Sequence, residues 1–355
     1  MKYLLLVVVC LTLFTSAQSV ASDNIPVQKV FKNWQVTCNN LNTCDIRNID
    51  ENLKVIFKRQ AGPTGKLALN IIVPATKKVP VLWFDDKPFA LSANIWHPSD
   101  EGGAVFLVAD NLELIQRWVK AAKNAHMISP TQDLQNGSSL AGLNAALLFV
   151  EDRQGRINNQ SALLKMGSVG IDKVPSVPVV AAPHPAVTNI SPLIHSDALI
   201  DAVIAANSGL LKQEYCEINP ENRQISSAQP LTENTALVMV NCGLGAYQSS
   251  SILFVTPRDK PAQAKRLILP LPVAPDKGEG TAMSINLFTE VDYSPKEGVL
   301  FQSARGRGMA DCGDSAKWIF DGKEFQLVSY NSQPSCSGGE PGDWPSIVAT
   351  PGYSD

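Results

Sequence analysis

The sequence predicts a β-rich α+β fold: two domains joined by a Pro/Ala-rich linker and stapled by disulfides. Three observations carry that prediction. The first 21 residues have the form of an export leader, and six cysteines remain after them. Short apolar and β-branched runs closed by Gly or Pro fill both halves of the chain around a Pro/Ala/Val-rich stretch at 168–192. Export decides how the cysteines are read, because disulfides persist in oxidising compartments.

The leader has a basic n-region at Lys2, an apolar core at 4–14 and a small-x-small pattern at Ser19-Val20-Ala21. Its apolar run is shorter than the ~20 residues a membrane helix needs. Cleavage is therefore expected near Ala21, leaving a periplasmic chain with no membrane span. Cys10 leaves with the leader. Val9 before it argues against a lipoprotein box. Cys38, Cys44, Cys216, Cys242, Cys312 and Cys336 remain. Pairing sequence neighbours gives Cys38–Cys44, Cys216–Cys242 and Cys312–Cys336, although sequence alone leaves other connectivities open. In the chain-entropy model each longer loop would contribute about 3.5 kcal/mol and the short one about 2 kcal/mol. No C-x-x-C occurs, and His97, His126, His184 and His195 are not spaced as ligands. No metal or other cofactor is expected.

The 355 residues suggest about two domains. A hydrophobic content of 45% supports real cores, and a net charge of −3 gives no basic excess for nucleic acid. The N-terminal domain is expected over 22–167 and the C-terminal one over 193–355. Along the first, 30–38, 53–57, 67–73, 79–84 and 104–108 read as strands. The period then changes. Asp110 is placed to cap a helix carrying Leu112, Ile115, Trp118, Val119 and Ala122 on one face. A second helix is expected over 139–151, with Gly155 just beyond its end. After the linker, Ser196 is placed to cap a short helix with Leu199, Val203 and Ala206, ended by Gly209. Strands return at 237–241, 251–255, 266–269, 285–291 and 299–303. Asp321-Gly322 signals a hairpin between 317–320 and 324–329.

Several pieces in fixed order carry a family likeness. These are Trp34-Gln35-Val36-Thr37-Cys38 with Cys44, and Gly142-Leu143-Asn144-Ala145-Ala146-Leu147-Leu148 running into Asp152-Arg153-Gln154-Gly155-Arg156. Cys242-Gly243-Leu244-Gly245-Ala246-Tyr247-Gln248 and Gly306-Arg307-Gly308-Met309-Ala310-Asp311-Cys312-Gly313 follow. Trp318–Phe325, Cys336 and Gly342-Asp343-Trp344-Pro345 complete the series. The chain resembles the bacterial exported proteins grouped as domain of unknown function 1176. Gln248 and Arg305 depart mildly from that pattern, where family members carry Asn and Lys. The Trp…Cys…Cys segment is also similar to invasion-associated locus B proteins. The resemblance implies a Gram-negative exported protein and names no activity.

The densest polar cluster is Arg305, Arg307, Asp311 and Asp314. Its glycines let backbone N–H groups approach an anion, and two arginines can grip phosphate or carboxylate. Asp311 and Asp314 have the chemistry of acid/base groups or of cation ligands. The plainer alternative is a turn-rich loop stapled by Cys312, with its arginines paired to its aspartates. Tyr247 offers an interface anchor on a loop after Cys242. The segment 152–156 reads as a solvated helix end. Neither G-x-S-x-G nor H-E-x-x-H occurs. His97, between Trp96 and Pro98, has no nucleophile near it in sequence. The expected function is therefore binding: an inhibitor- or immunity-type protein acting on an envelope-targeted protein. The rivals are an envelope-polymer enzyme with its site near Arg307, Asp311 and Asp314, and a host-interaction factor.

Overall fold

The computed structural model describes residues 26–49, 52–74, 81–91, 97–101, 104–186, 190–272 and 283–353. The leader expected at 1–21 lies outside them. Strands Val27–Phe31 (β1), Trp34–Cys38 (β2), Cys44–Asn48 (β3), Lys54–Arg59 (β4) and Leu67–Pro74 (β5) form an antiparallel meander. Ala104–Ala109 and His97–Glu101 extend it at the far edge, so His97 opens a strand rather than sitting in a loop. The expected strand at 30–38 is two strands, because Lys32 takes a left-handed φ of 53° and turns the chain back.

Alternation puts Trp34, Val36, Ile46, Val55, Phe57, Leu69 and Ile71 in one core. Helices Leu112–Ala122 (α1) and Leu143–Arg153 (α2) contribute to it. Trp118 of α1 meets Phe57 and Phe84 edge-on, with centroids 5.4 and 5.1 Å away. The cap of α1 is Asn111 rather than Asp110; its side chain accepts from Leu114 N at 3.0 Å. Gly142 starts α2 with φ 103°, and a Cβ there would lie 1.8 Å from Phe31 O, so only glycine fits.

In the C-terminal half, hairpin strands Thr235–Leu244 and Ser249–Pro257 centre one sheet. Helices Ser196–Ala206 (α3), Ser208–Gln213 (α4) and Pro220–Ile225 (α5) accompany it, with Leu199, Ile200, Val203 and Leu211 buried against Val238, Val240 and Phe254. Ser196 is the first residue of α3, after His195. Gly209 lies inside α4; Asn207 ends α3, its side chain donating to Val203 O at 2.8 Å. A second sheet runs in order through Asp292–Ser294, Val299–Arg305, Gly313–Phe320, Phe325–Gln333 and Ser346–Ala349. It includes the hairpin expected at Asp321-Gly322. Cys38–Cys44, Cys216–Cys242 and Cys312–Cys336 are the disulfides.

The buried apolar clusters draw on 27–163, 199–254 and 231–347, so none spans the stretch at 168–192. The described part of that stretch has a β-bridge from Val169 to Asn159 and a turn of 3-10 helix at Ile171–Lys173. The two halves meet instead through polar groups. Gln28 Nε2 donates to Ser332 O at 3.0 Å, and Gln35 Nε2 donates to Gln333 Oε1 at 3.0 Å. Asn40 bonds Ala349 twice, donating from Nδ2 at 3.0 Å and accepting at Oδ1 at 2.8 Å. Every residue of β2 and β3 is therefore buried, on the polar face as well as the apolar one.

The segment 152–156 is solvated only in part: Asp152 and Gly155 are exposed, Gln154 and Arg156 are not. Arg156 and Gln154 are each 2% exposed. Arg156 donates to Gln154 Oε1, Ser161 Oγ and Gly62 O at 3.0, 2.7 and 2.7 Å. Buried Glu151 accepts from Leu163, Leu164 and Lys165 N at 2.6, 2.6 and 3.0 Å. Burial, and then the Arg156 charge, pull the Arg59 pKa down to about 9 against the opposing pull of Glu151. Removing one charge from such a buried set leaves the others uncompensated. Glu151→Ala is expected to cost about 3 kcal/mol in urea unfolding, while exposed Asp152→Ala costs within about 0.5 kcal/mol.

Candidate functional site

Two stapled loops meet on the surface of the C-terminal half. One is the hairpin turn at 244–248, closed by Gly245 N donating to Gln248 O at 2.8 Å; it follows Cys242, which is bonded to Cys216. The other is the loop at 306–311, closed by Gly306 N donating to Cys312 O at 2.9 Å, with Cys312 bonded to Cys336. A Cβ at residue 306 would lie 2.6 Å from Cys312 Sγ, so the close approach requires glycine.

Arg305 joins the two loops. Its backbone N donates to Gln248 Oε1 at 2.9 Å, its Nη2 donates to Tyr247 O, and its guanidinium lies 5.4 Å from the Tyr247 ring centroid. Among the described residues, no carboxylate pairs with it. Beside it Leu244 is 54% exposed, Tyr247 41% and Met309 64%. The patch thus brings an aromatic ring, a guanidinium and a methionine, types enriched at protein interfaces, together with an exposed Leu.

The other charged candidates lie in different surroundings. Arg307 grips Asp311 with two hydrogen bonds, Nε to Oδ1 at 2.7 Å and Nη2 to Oδ2 at 2.6 Å. Gly338 N donates to the same carboxylate at 2.7 Å. The Arg307 hydrogen bond, against a smaller opposing effect of burial, holds the Asp311 carboxyl below its usual range. Asp311 borders a gap of about 10 Å3, too small for a substrate. Asp314 lies on the strand Gly313–Phe320 and accepts from Gln302 Nε2 at 2.7 Å. Burial pushes its carboxyl up, with Gln302 opposing. Burial, and then the Asp314 charge, raise the nearby Tyr330 hydroxyl to about 12. Asp311 is thus held in an ion pair while Asp314 is held by an amide.

A second polar site lies in the seam between the halves. Arg47 on β3 donates from Nε and Nη2 to Asp45 Oδ1 and Oδ2, both at 2.7 Å, and from Nη1 to Asp343 O at 2.7 Å. Lys58 on β4 lies 2.8 Å from Asp343 Oδ1. Burial opposes ionisation of Asp343, but Arg47 and Lys58 outweigh it and hold that carboxyl low. Alongside this network is an opening of about 350 Å3. Asp45, Arg47 and Lys58 were not among the sequence candidates. The signals available were Asp-x-Arg at alternate positions of one strand and the Asp343 of Gly-Asp-Trp-Pro. Among the described residues, no group of three His, Cys, Asp or Glu could hold a metal ion, and no helix is long and apolar enough to cross a membrane.

Residues 28–351 match the family model described as protein of unknown function (DUF1176). The chain belongs to the DUF1176 family. It is 31% identical to the uncharacterized protein YpfG of Escherichia coli (strain K12) over 339 residues, covering 92% of this chain and 93% of the relative. No solved structure matches. Neither match bears on the likeness of the N-terminal segment to invasion-associated locus B proteins.

The Asp311 and Asp343 carboxyls both ionise below the ordinary value of 3.8 in the folded DUF1176 chain. The stabilisation each gives is full above that unfolded value and is lost as pH falls through the folded one. Asp311→Asn is expected to lower stability at neutral pH by about 2 kcal/mol. It should also flatten the acid-side loss below about pH 4, read from urea unfolding at a series of pH values.

Proposed function

We propose that this DUF1176 protein works by binding. It is an exported periplasmic protein of two domains, divided at 168–192, that recognises an envelope-targeted protein in the manner of an inhibitor or immunity protein. The observation that carries this reading is the patch of Leu244, Tyr247 and Met309 on two loops that each adjoin a disulfide, with Arg305 joining them from the end of its strand. Few residues carry most of an interface's energy, and Tyr and Arg lead among them. Stapled loops lose little conformational entropy on docking. Three disulfides and the leader pattern support export.

The rival enzyme reading drew on Arg307, Asp311 and Asp314. It asks Asp311 to exchange protons while Arg307 and Gly338 hold its charged form. A host-interaction role rests on no residue of the patch in particular.

The test is affinity capture from periplasmic extract with the mature chain immobilised, run in parallel with Tyr247→Ala and Arg305→Ala. A specific partner is expected on the wild type. Each variant should weaken its retention by about tenfold or more, with unchanged thermal midpoints. Equal retention by the variants, or no partner on the wild type, overturns the reading.

A further inference from the structure

The seam opening has walls from opposite ends of the chain: Asn39, Thr43, Asp45 and Lys58 on one side, Ser329, Asn331 and Gly342–Ser346 on the other. Its volume of about 350 Å3 falls within the range of small-molecule sites, roughly 300–1,000 Å3. Both walls are fixed before any ligand arrives. The Cys38–Cys44 disulfide closes the first, and Asn39 Oδ1 accepts from Leu41 N and Thr43 N at 3.0 and 2.9 Å. On the second, Trp344 Nε1 donates to Ala310 O at 3.0 Å, and Ser332 N donates to Pro345 O at 3.0 Å.

The charges in the walls cancel locally. Asp45 is taken up by Arg47, and Asp343 by Lys58 and Arg47. An anionic ligand would meet the Asp45 and Asp343 carboxylates, and a cationic one would meet Lys58. Neutral polar groups remain. Among the described residues, the Thr43 and Ser329 hydroxyls, the Asn331 Oδ1 and the Asn39 Nδ2 make no hydrogen bond within the protein. None is a sealed, buried orphan, so each reaches solvent. Hydroxyls both donate and accept, the amide nitrogen donates and the carbonyl oxygen accepts. A hydrocarbon ligand would strand these groups. The Trp344 indole adds an apolar wall against which the C–H face of a ring can pack.

We infer that this cleft binds a short neutral saccharide, about one or two sugar rings in size. Its hydroxyls pair with Asn39, Thr43, Ser329 and Asn331, and one ring lies towards Trp344. The site is separate from the Tyr247 patch and stands whether or not that patch binds a protein.

The experiment titrates the mature, disulfide-bonded protein with maltotriose, N,N′-diacetylchitobiose and anionic digalacturonate, each to about 10 mM, with amide and indole NMR shifts as the readout. The expected result is saturable shifts at Thr43, Asn331 and the Trp344 indole with at least one neutral sugar. Digalacturonate should bind more weakly. Thr43→Val and Ser329→Ala should each weaken the neutral sugar about fivefold while leaving the thermal midpoint unchanged. The inference is overturned by absence of saturable shifts with both neutral sugars, by tighter binding of digalacturonate, or by undiminished binding in both variants.

Discussion

Arg47 leaves β3 on the polar face of the N-terminal sheet and ends between the two halves, where Asp45 takes two of its donors and the Asp343 carbonyl a third. Burial alone would lower its pKa; the Asp45 and Asp343 charges outweigh that and raise it. Taking a guanidinium out of water costs several kcal/mol, recovered only with good geometry and filled hydrogen bonds. That condition selects one placement of the C-terminal half. Sliding the halves would separate Arg47 from Asp343 and Lys58 from the same carboxylate. It would also break the Gln28, Gln35 and Asn40 bonds to Ser332, Gln333 and Ala349. A polar seam is a weak source of net stability but a strict one of register. The apolar clusters stay within their own halves, so register between the halves has to come from these bonds.

The same seam explains which parts of the molecule were legible beforehand. The alternation Trp34/Val36 against Gln35/Thr37 is plain in β2, and so is the apolar stripe of α1. Period-two patterning reports which side chains are polar; it does not report whether their face meets water. Gln35 and Thr37 are buried all the same, because the C-terminal sheet covers their face. Arg156 was misread for a related reason: its charge suggested a helix end in water, while its partners Gly62 and Ser161 come from other loops. Helices α4 and α5 are six residues each, too short for a helical period to register. The cysteines pair with their sequence neighbours, one of the connectivities that the sequence leaves open. Of the charged cluster around Cys312, sequence named the members but not their partition. Arg305 goes to Tyr247 and Arg307 to Asp311, a difference set by the fold of two loops 57 to 58 residues apart.

The disulfides sit where loops are displayed. Bridging Cys38 and Cys44, six positions apart, removes less chain entropy than closing the longer loops, so its larger effect is local order at one wall of the seam opening. The other two adjoin the loops that carry Tyr247 and Met309. These surfaces are not mechanically independent. Ala310, in the 306–311 loop with a left-handed φ of 55°, presents its carbonyl to both Gly342 N at 2.9 Å and Trp344 Nε1 at 3.0 Å. One oxygen thus anchors the Gly342–Trp344 wall of the opening to the loop bearing Arg307 and Met309. Asp311, the next residue, fixes Gly338 on the same strap. Displacing the Trp344 indole would break a hydrogen bond whose acceptor belongs to the patch loop. The strap from Cys336 to Trp344 therefore holds the seam through Asp343 at one end and the patch loop through Cys336 and Gly338 at the other.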